Sequence, residues 1–204
     1  MTHPTHKVYS ICFAYLVAML VFNLGVTQIN YYLTIPILVA IAKIGAEFPD
    51  VDHHWSNVHS KTTINKIINI IIHATRGKHR SWQTHSIDIC VLTTISLYTI
   101  SKRLYINNII SEVNSEVMIL LLLGFTSGWV SHLFSDSLTS EGVRLFCWNK
   151  KIKIKFVPKK IGKLRFNTGN EWEEFNYKLM KKINIILGLI CAVYPVLLSY
   201  METI

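Results

Sequence analysis

Long apolar windows dominate the hydrophobic pattern of this chain. Residues 8–42 contain no Asp, Glu, Lys, Arg or His, residues 117–135 contain only His132 of these types, and residues 183–201 contain none. A helix needs about 20 apolar residues to cross a bilayer, and a soluble domain of 204 residues rarely holds three such windows. The pattern therefore predicts an all-α fold, a polytopic membrane helical bundle that forms a single membrane-embedded domain over residues 1–204.

The breaks between the windows predict where the elements begin and end. The expected helices run from about Lys7 to Val26, Tyr31 to Glu47, Thr62 to Thr75, Ile87 to Ser101, Val113 to Leu138 and Glu171 to Tyr200. The helix at 62–75 is too short to span and carries its isoleucines on one face, as in an interfacial helix. We expect Lys102-Arg103 to end the fourth helix.

A basic segment at about 149–167 has a different period. Lys151, Lys153 and Lys155 alternate with Ile152, Ile154 and Phe156, which is the period of a strand. Pro158 and Gly162 suggest a turn, and Lys163–Phe166 alternates again. The segment predicts a small cytoplasmic β-hairpin inserted in the helical bundle.

Charge predicts the orientation and some of the partners. Lys and Arg number 21 against 12 Asp and Glu, and twelve of them lie between Arg144 and Lys182 beside three Glu. The positive-inside rule places that segment in the cytoplasm, although Lys102-Arg103 then falls outside. No recognised nucleic-acid-binding fold accompanies the lysines, so membrane lipids, and no specific nucleic acid, are the expected partners. The four cysteines form no CxxC pair, which argues against a zinc ribbon or a disulfide framework.

Ionisable side chains gather at the ends of the apolar windows. Such groups are costly near lipid unless they are paired or coordinated, and imidazole with carboxylate but no thiolate suits Zn²⁺, Mn²⁺ or Fe²⁺. With the predicted topology, all of them lie near the cytoplasmic face of an inner membrane. The candidate ligands are His6, Asp50, Asp52, His53, His79, His85, His132 and Asp136. These are too many for one tetrahedral ion, so we expect two or three divalent ions, most readily zinc.

The spacing of these residues suggests their roles. His132 and Asp136 are one helical turn apart and share a face. Two neighbouring ions can activate water and hold the oxygens of a phosphoester, with Asp50 or Asp52 as general base and Arg80 on the phosphate. We expect Thr84 and Ser86 to orient His85 or the attacking water, and Thr139 to hydrogen-bond near Asp136. A lone histidine near a membrane interface more often packs than binds metal, and His3, His54, His59 and His73 are interpreted in that way.

The clusters together resemble the YdjM-like family of membrane-bound metal-dependent hydrolases. The resemblance rests on His6 and on five runs in the same order, namely 49–53, 79–86, 128–139, 142–143 and 166–173, together with Trp148. Ser81 stands where the family usually has Gly. The family is distantly similar to the zinc-dependent phospholipase C and P1 nuclease group. That similarity implies a metal cluster inside a helical bundle and hydrolysis of a phosphoester or phospholipid.

Two other functions fit the same residues. One is a non-catalytic membrane protein whose metal is structural or sensory. The other is a metal-ion transporter, which predicts ionisable groups near the middle of the bilayer. Here those groups lie at helix ends, which counts against transport.

Overall fold

The structure, a computed structural model, describes residues 2–52, 63–75, 82–149, 151–156 and 169–201. Its helices are α1 (His3–Asn23), α2 (Tyr31–Glu47), α3 (Thr63–Ala74), α4 (Ile87–Ile106), α5 (Glu112–Ser137) and α6 (Glu171–Met201), with a 3₁₀ turn at Phe48–Asp52 after α2. The strands are β1 (Val143–Arg144) and β2 (Lys153–Ile154). The predicted all-α bundle with a small sheet is confirmed.

The long helices alternate in direction, so that one end of the bundle collects the ends that carry ionisable residues. Helices α1 and α6 run parallel and are joined by hydrogen bonds along their length. The Asn184 side chain donates to the Val8 carbonyl at 2.8 Å, and Asn23 donates to the Tyr194 hydroxyl oxygen at 2.5 Å. At the beginning of both helices, the buried Glu173 carboxylate accepts hydrogen bonds from the backbone and side chain of Thr2.

Helices α2 and α5 cross at very short range. A Cβ atom added to Gly45 would overlap the backbone of Phe125, and one added to Gly128 would overlap the backbone of Ala42. Small residues allow such backbone approach in membrane helix pairs, where close packing rather than hydrophobicity drives association. The glycines therefore fix the distance between the ends of α2 and α5.

Several predicted boundaries shift in the structure. Helix α1 begins at His3, four residues earlier than expected, because Pro4 fits the first helical turn. Helix α4 continues past Lys102-Arg103 to Ile106, so these cations do not end it. Ser101 is buried while Lys102 and Arg103 are exposed, which lets the helix continue with both charges on its outer surface. The other four helices lie within one or two residues of the predicted bounds.

The sheet confirms one predicted strand and gives it a partner that the sequence pattern did not suggest. Strand β2 pairs antiparallel with β1, with Val143 opposite Ile154 and Arg144 opposite Lys153. The expected partner, Lys163–Phe166, lies outside the described residues. Asp88 at the beginning of α4 accepts a hydrogen bond from the Cys147 amide at 2.9 Å, which ties the segment between the strands to the bundle.

The outer surface of the bundle is apolar. Among the described residues, four segments are long and apolar enough to cross a membrane: His3–Asn23, Tyr31–Asp52, Glu112–Ser137 and Glu171–Tyr200. Helix α6 exposes a row that includes Ile185, Leu189, Val193 and Val196. Side chains of this kind, uncovered by protein, are what a lipid-facing helix presents.

Candidate metal centre

Ionisable side chains from four separate segments meet at one end of the bundle. His6 comes from α1, Asp50 and Asp52 from the 3₁₀ turn, His85 from the residue pair before α4, and His132 with Asp136 from the last turns of α5. All are buried except Asp50, whose side chain is 20% exposed. The predicted convergence of these segments is therefore present in the structure.

His132 is held in one tautomer by the α2–α5 contact. Its Nδ1 lies 2.7 Å from the Ala46 carbonyl oxygen, which can only accept, so Nδ1 must carry the proton. The lone pair is then on Nε2, which lies 3.7 Å from Asp136 Oδ2 and 3.8 Å from Asp50 Oδ1. The close approach at Gly45 and Gly128 brings Ala46 within reach of this imidazole.

His6 is oriented in the same way by a serine. Its ring stacks on His132 with centroids 3.7 Å apart, and its Nδ1 lies 2.6 Å from Ser135 Oγ. Ser135 already donates its hydroxyl proton to the His132 carbonyl at 2.9 Å, so it accepts from His6. Nε2 of His6 is left facing Asp136 Oδ1 at 3.7 Å.

The Asp52 carboxylate lies next to Nδ1 of His85, the ring nitrogen that faces away from Asp136. Nδ1 of His85 lies 3.3 Å from Asp52 Oδ2, and Thr84 Oγ1 donates to the same oxygen at 2.8 Å. The backbone carbonyl of Thr84 accepts from the buried Trp129 indole at 2.8 Å. Nε2 of His85 faces Asp136 Oδ2 at 3.8 Å. A carboxylate on the far nitrogen of an imidazole is the usual outer partner of a histidine that binds metal.

The surroundings of His85 also set its charge. Burial alone would lower the pKa of His85, but the hydrogen bond and charge of Asp52, with the charges of Asp136 and Asp50, raise it above the usual value. In the metal-free protein this imidazole therefore holds a proton more readily than an ordinary histidine does.

The three Nε2 atoms and the carboxylates fit a divalent cation. Separations of 3.7–3.8 Å are too long for hydrogen bonds. They are a few tenths of an ångström wider than the roughly 3.3 Å edge of a tetrahedron with metal–ligand bonds of about 2.0 Å. His132 Nε2 is buried and has no hydrogen-bond partner within the described part of the chain. Buried polar atoms are normally satisfied, and a cation would satisfy this one.

Two overlapping groups of ligand atoms are close enough to hold an ion. One comprises His6, His132 and Asp136, the other Asp50, His85 and His132, with the atoms of each within 4.8 Å of one another. Since His132 has a single lone pair, it can serve only one ion. The two groups share His132 and together contain five residues, which form the candidate centre. Two or three ions remain a prediction, and the further candidates His53 and His79, like Arg80, lie outside the described residues.

Two of the three residues predicted to orient the ligands, Thr139 and Ser86, bond to backbone carbonyls instead. Thr139 Oγ1 donates to the Asp136 carbonyl at 2.7 Å, and Ser86 Oγ donates to the Trp82 carbonyl at 2.6 Å. Only Thr84 contacts an ionisable side chain of the centre directly. His3, interpreted as a non-ligand, has its Nε2 3.1 Å from Glu47 Oε1 and belongs to neither ligand group.

Fold and site together define a helical membrane protein with a buried histidine–carboxylate centre. The model of the YdjM inner membrane protein family matches residues 1–203, so the chain belongs to this family. Neither the curated proteins nor the solved structures include a significant match.

Proposed function

We propose that the protein is a metal-dependent hydrolase of the inner membrane that cleaves a phosphoester. The observation that carries this proposal is the convergence of three Nδ1-anchored imidazoles on the Asp136 carboxylate, beside a second carboxylate that reaches solvent. Imidazole and carboxylate ligands favour Zn²⁺, with Mn²⁺ and Fe²⁺ as alternatives.

Each described residue then has a distinct task. His6, His85, His132 and Asp136 hold the ion, and Asp52 orients His85. A divalent cation at this position supplies Lewis acidity that polarises a phosphoryl oxygen and acidifies water. Asp50 is the best-placed general base because its side chain is partly exposed, whereas Asp52 is buried against Thr84 and His85. Arg80 remains the predicted phosphate partner.

The location of the centre suggests an amphiphilic substrate. The centre lies at the end of a bundle whose outer surface is apolar, and the same end carries the basic strand residues Arg144 and Lys153. By the positive-inside rule this end faces the cytoplasm. A multi-pass protein with its centre at the cytoplasmic leaflet has direct access to phospholipid head groups.

A structural or sensory metal is the second candidate, and burial favours it. The His6, His85, His132 and Asp136 side chains are all nearly inaccessible, whereas catalytic zinc sites keep one position open for water or substrate. In that case the ion would hold α1, α4 and α5 together without turnover.

Hydrolysis by purified protein separates the two candidates. Wild type, His132→Ala and Asp50→Asn are assayed with zinc, manganese or iron on a generic phosphodiester and on phospholipid vesicles, with His73→Ala as a control histidine outside the centre. A hydrolase predicts turnover in wild type and His73→Ala, loss of metal in His132→Ala, and loss of turnover with metal retained in Asp50→Asn. Bound metal without turnover of any ester would favour the structural role. Absence of bound metal would overturn both.

A further inference from the structure

The two-stranded sheet has one apolar face and one cationic face. Residues directly opposite each other in an antiparallel pair lie on the same face. Val143 and Ile154 therefore share one face, and Arg144 and Lys153 share the other. The sheet is too small to be stable alone, so its stability depends on what its two faces contact.

The apolar face covers a cavity at the end of the α4–α5 groove. The cavity has a volume of about 190 Å³. Its lining is apolar apart from Ser137, and it includes Val143 and Ile154 of the sheet, Val91 of α4 and Phe134 of α5. Cys90, Leu133 and Val143 at the base are buried, whereas Val91, Val130 and Phe134 at the rim are partly exposed. The cavity therefore opens on the apolar outer surface of the bundle.

The two cations of the other face, Arg144 and Lys153, lie directly opposite each other. None of the ion pairs among the described residues involves Arg144 or Lys153. Like charges directly opposite each other on a sheet destabilise the pairing. An anion placed between the two side chains would remove that repulsion.

The cavity is separate from the metal centre. Successive helical residues are rotated by about 100°, so Leu133 and Ser137, which line the cavity, project in a different direction from His132 and Asp136 on the same helix. No member of the two ligand groups lines the cavity. A ligand of the cavity can therefore bind whether or not the metal centre is catalytic.

We propose that this sheet and groove bind an anionic phospholipid, with an acyl chain in the α4–α5 cavity and the phosphate between Arg144 and Lys153. An apolar cavity that opens towards lipid accepts a hydrocarbon chain. The long stems of Lys and Arg let their charged ends reach the head-group level from an apolar surface. Apolar and cationic groups on one short ribbon match the two parts of an anionic lipid, and a zwitterionic lipid matches only one of them.

Photo-crosslinking of lipids to the full-length protein in phosphatidylcholine nanodiscs tests the site. A trace of phosphatidylglycerol with a diazirine in its acyl chain is activated by light, and the labelled residues are mapped by mass spectrometry. We expect labelling concentrated at the beginning of α4 and the end of α5, and several-fold weaker labelling there by the phosphatidylcholine analogue.

Matched variants separate a site from general lipid contact. Val91→Trp fills the mouth of the groove and should abolish the preferred labelling. Val193→Trp on α6, where the valine is equally exposed (49% at both positions), should leave it unchanged. Lys153→Gln should weaken phosphatidylglycerol labelling about fivefold, the equivalent of about 1 kcal/mol per surface cation. Lys102→Gln, at the opposite end of α4, should change it less than twofold.

Three results would overturn the proposal. Equal groove labelling by the two lipids would exclude recognition of the head group. Labelling of the exposed face of α6 as strong as that of the groove would indicate ordinary boundary lipid. Unchanged labelling of Val91→Trp would show that the chain does not enter the cavity. None of these results depends on metal content or turnover, so they are distinct from a failure of the hydrolase proposal.

Discussion

Replacing Asp52 by Asn tests whether this carboxylate orients a metal ligand or is one itself. The sequence places Asp52 among the candidate ligands, but in the structure its Oδ2 lies against Nδ1 of His85, 3.3 Å away, and accepts from Thr84. Asparagine keeps the size and an acceptor oxygen but removes the negative charge. The substitution should therefore loosen His85 without removing any atom from the two groups of potential ligands.

The expected size of the effect follows from this outer position. Loss of an outer partner of a metal ligand typically lowers metal affinity by a factor of about 10–100, which corresponds to about 1.4–2.7 kcal/mol. The upper half of that range is expected here because Asp52 is buried, at 1% exposure, and water cannot readily replace it. Removal of a ligand itself, as in His132→Ala, should cost considerably more.

Competition with a zinc chelator measures the affinities in detergent. The matched control is Asp88→Asn, since Asp88 is also hydrogen-bonded, to the Cys147 amide at 2.9 Å, but belongs to neither ligand group. We expect Asp88→Asn to match wild type within about twofold. An affinity for Asp52→Asn equal to that of wild type would refute the orienting role. A loss as large as that of His132→Ala would make Asp52 a ligand.

Three further predictions concern packing, capping and pH. Gly128→Ala should lower the free energy of unfolding by about 1–3 kcal/mol because the methyl group meets backbone. Gly188→Ala, which meets only a tyrosine side chain, should cost less, and thermal unfolding in detergent compares them. Glu173→Ala should cost about 1–2 kcal/mol, since this carboxylate accepts the Gly169 amide at 2.7 Å. Replacing its exposed neighbour, Glu174→Ala, should change the free energy of unfolding little in the same measurement. Equal losses of stability in the two variants would contradict the capping role of Glu173. The pKa of His85 is raised, so zinc must displace a proton from this imidazole when the pH is below that pKa. The zinc affinity measured by calorimetry should therefore fall by up to about tenfold for each pH unit below it. Affinity independent of pH down to 5.5 would contradict this.

The fold was largely predictable because lipid solvation leaves a strong signal in the sequence. The apolar windows predicted the four candidate membrane-spanning helices, α1, α2, α5 and α6, to within a few residues, since a polar break in the pattern coincides with the end of a helix. The end of α4 was not predictable in this way. Two adjacent cations suggested a terminus, but both side chains face outward, and burial of Ser101 beside them cannot be inferred from one sequence. The pairing of β2 with β1 was also missed, since a two-residue strand such as Val143–Arg144 has no detectable period.

The sequence predicted which residues gather at the site, but not which of them would bind the metal and which would orient its ligands. Imidazoles and carboxylates at window ends identified every described member of the two ligand groups. Their assignment to inner or outer positions depends on which imidazole nitrogen faces which partner. A backbone carbonyl at Ala46 decides this for His132, and a hydroxyl at Ser135 decides it for His6. The Trp129 indole holds the backbone of Thr84, next to His85. Backbone acceptors carry no sequence signal, and Ser and Trp in an apolar window look like packing residues.

Metal analysis of the purified protein, combined with X-ray absorption at the metal edge, tests the central claim most directly. We predict stoichiometric divalent metal in wild type, with imidazole scattering and nitrogen or oxygen ligands at about 2.0–2.1 Å. In His132→Ala both the content and the imidazole signal should fall sharply. Wild-type protein without stoichiometric metal, or a spectrum unchanged in His132→Ala, would contradict the existence of the centre.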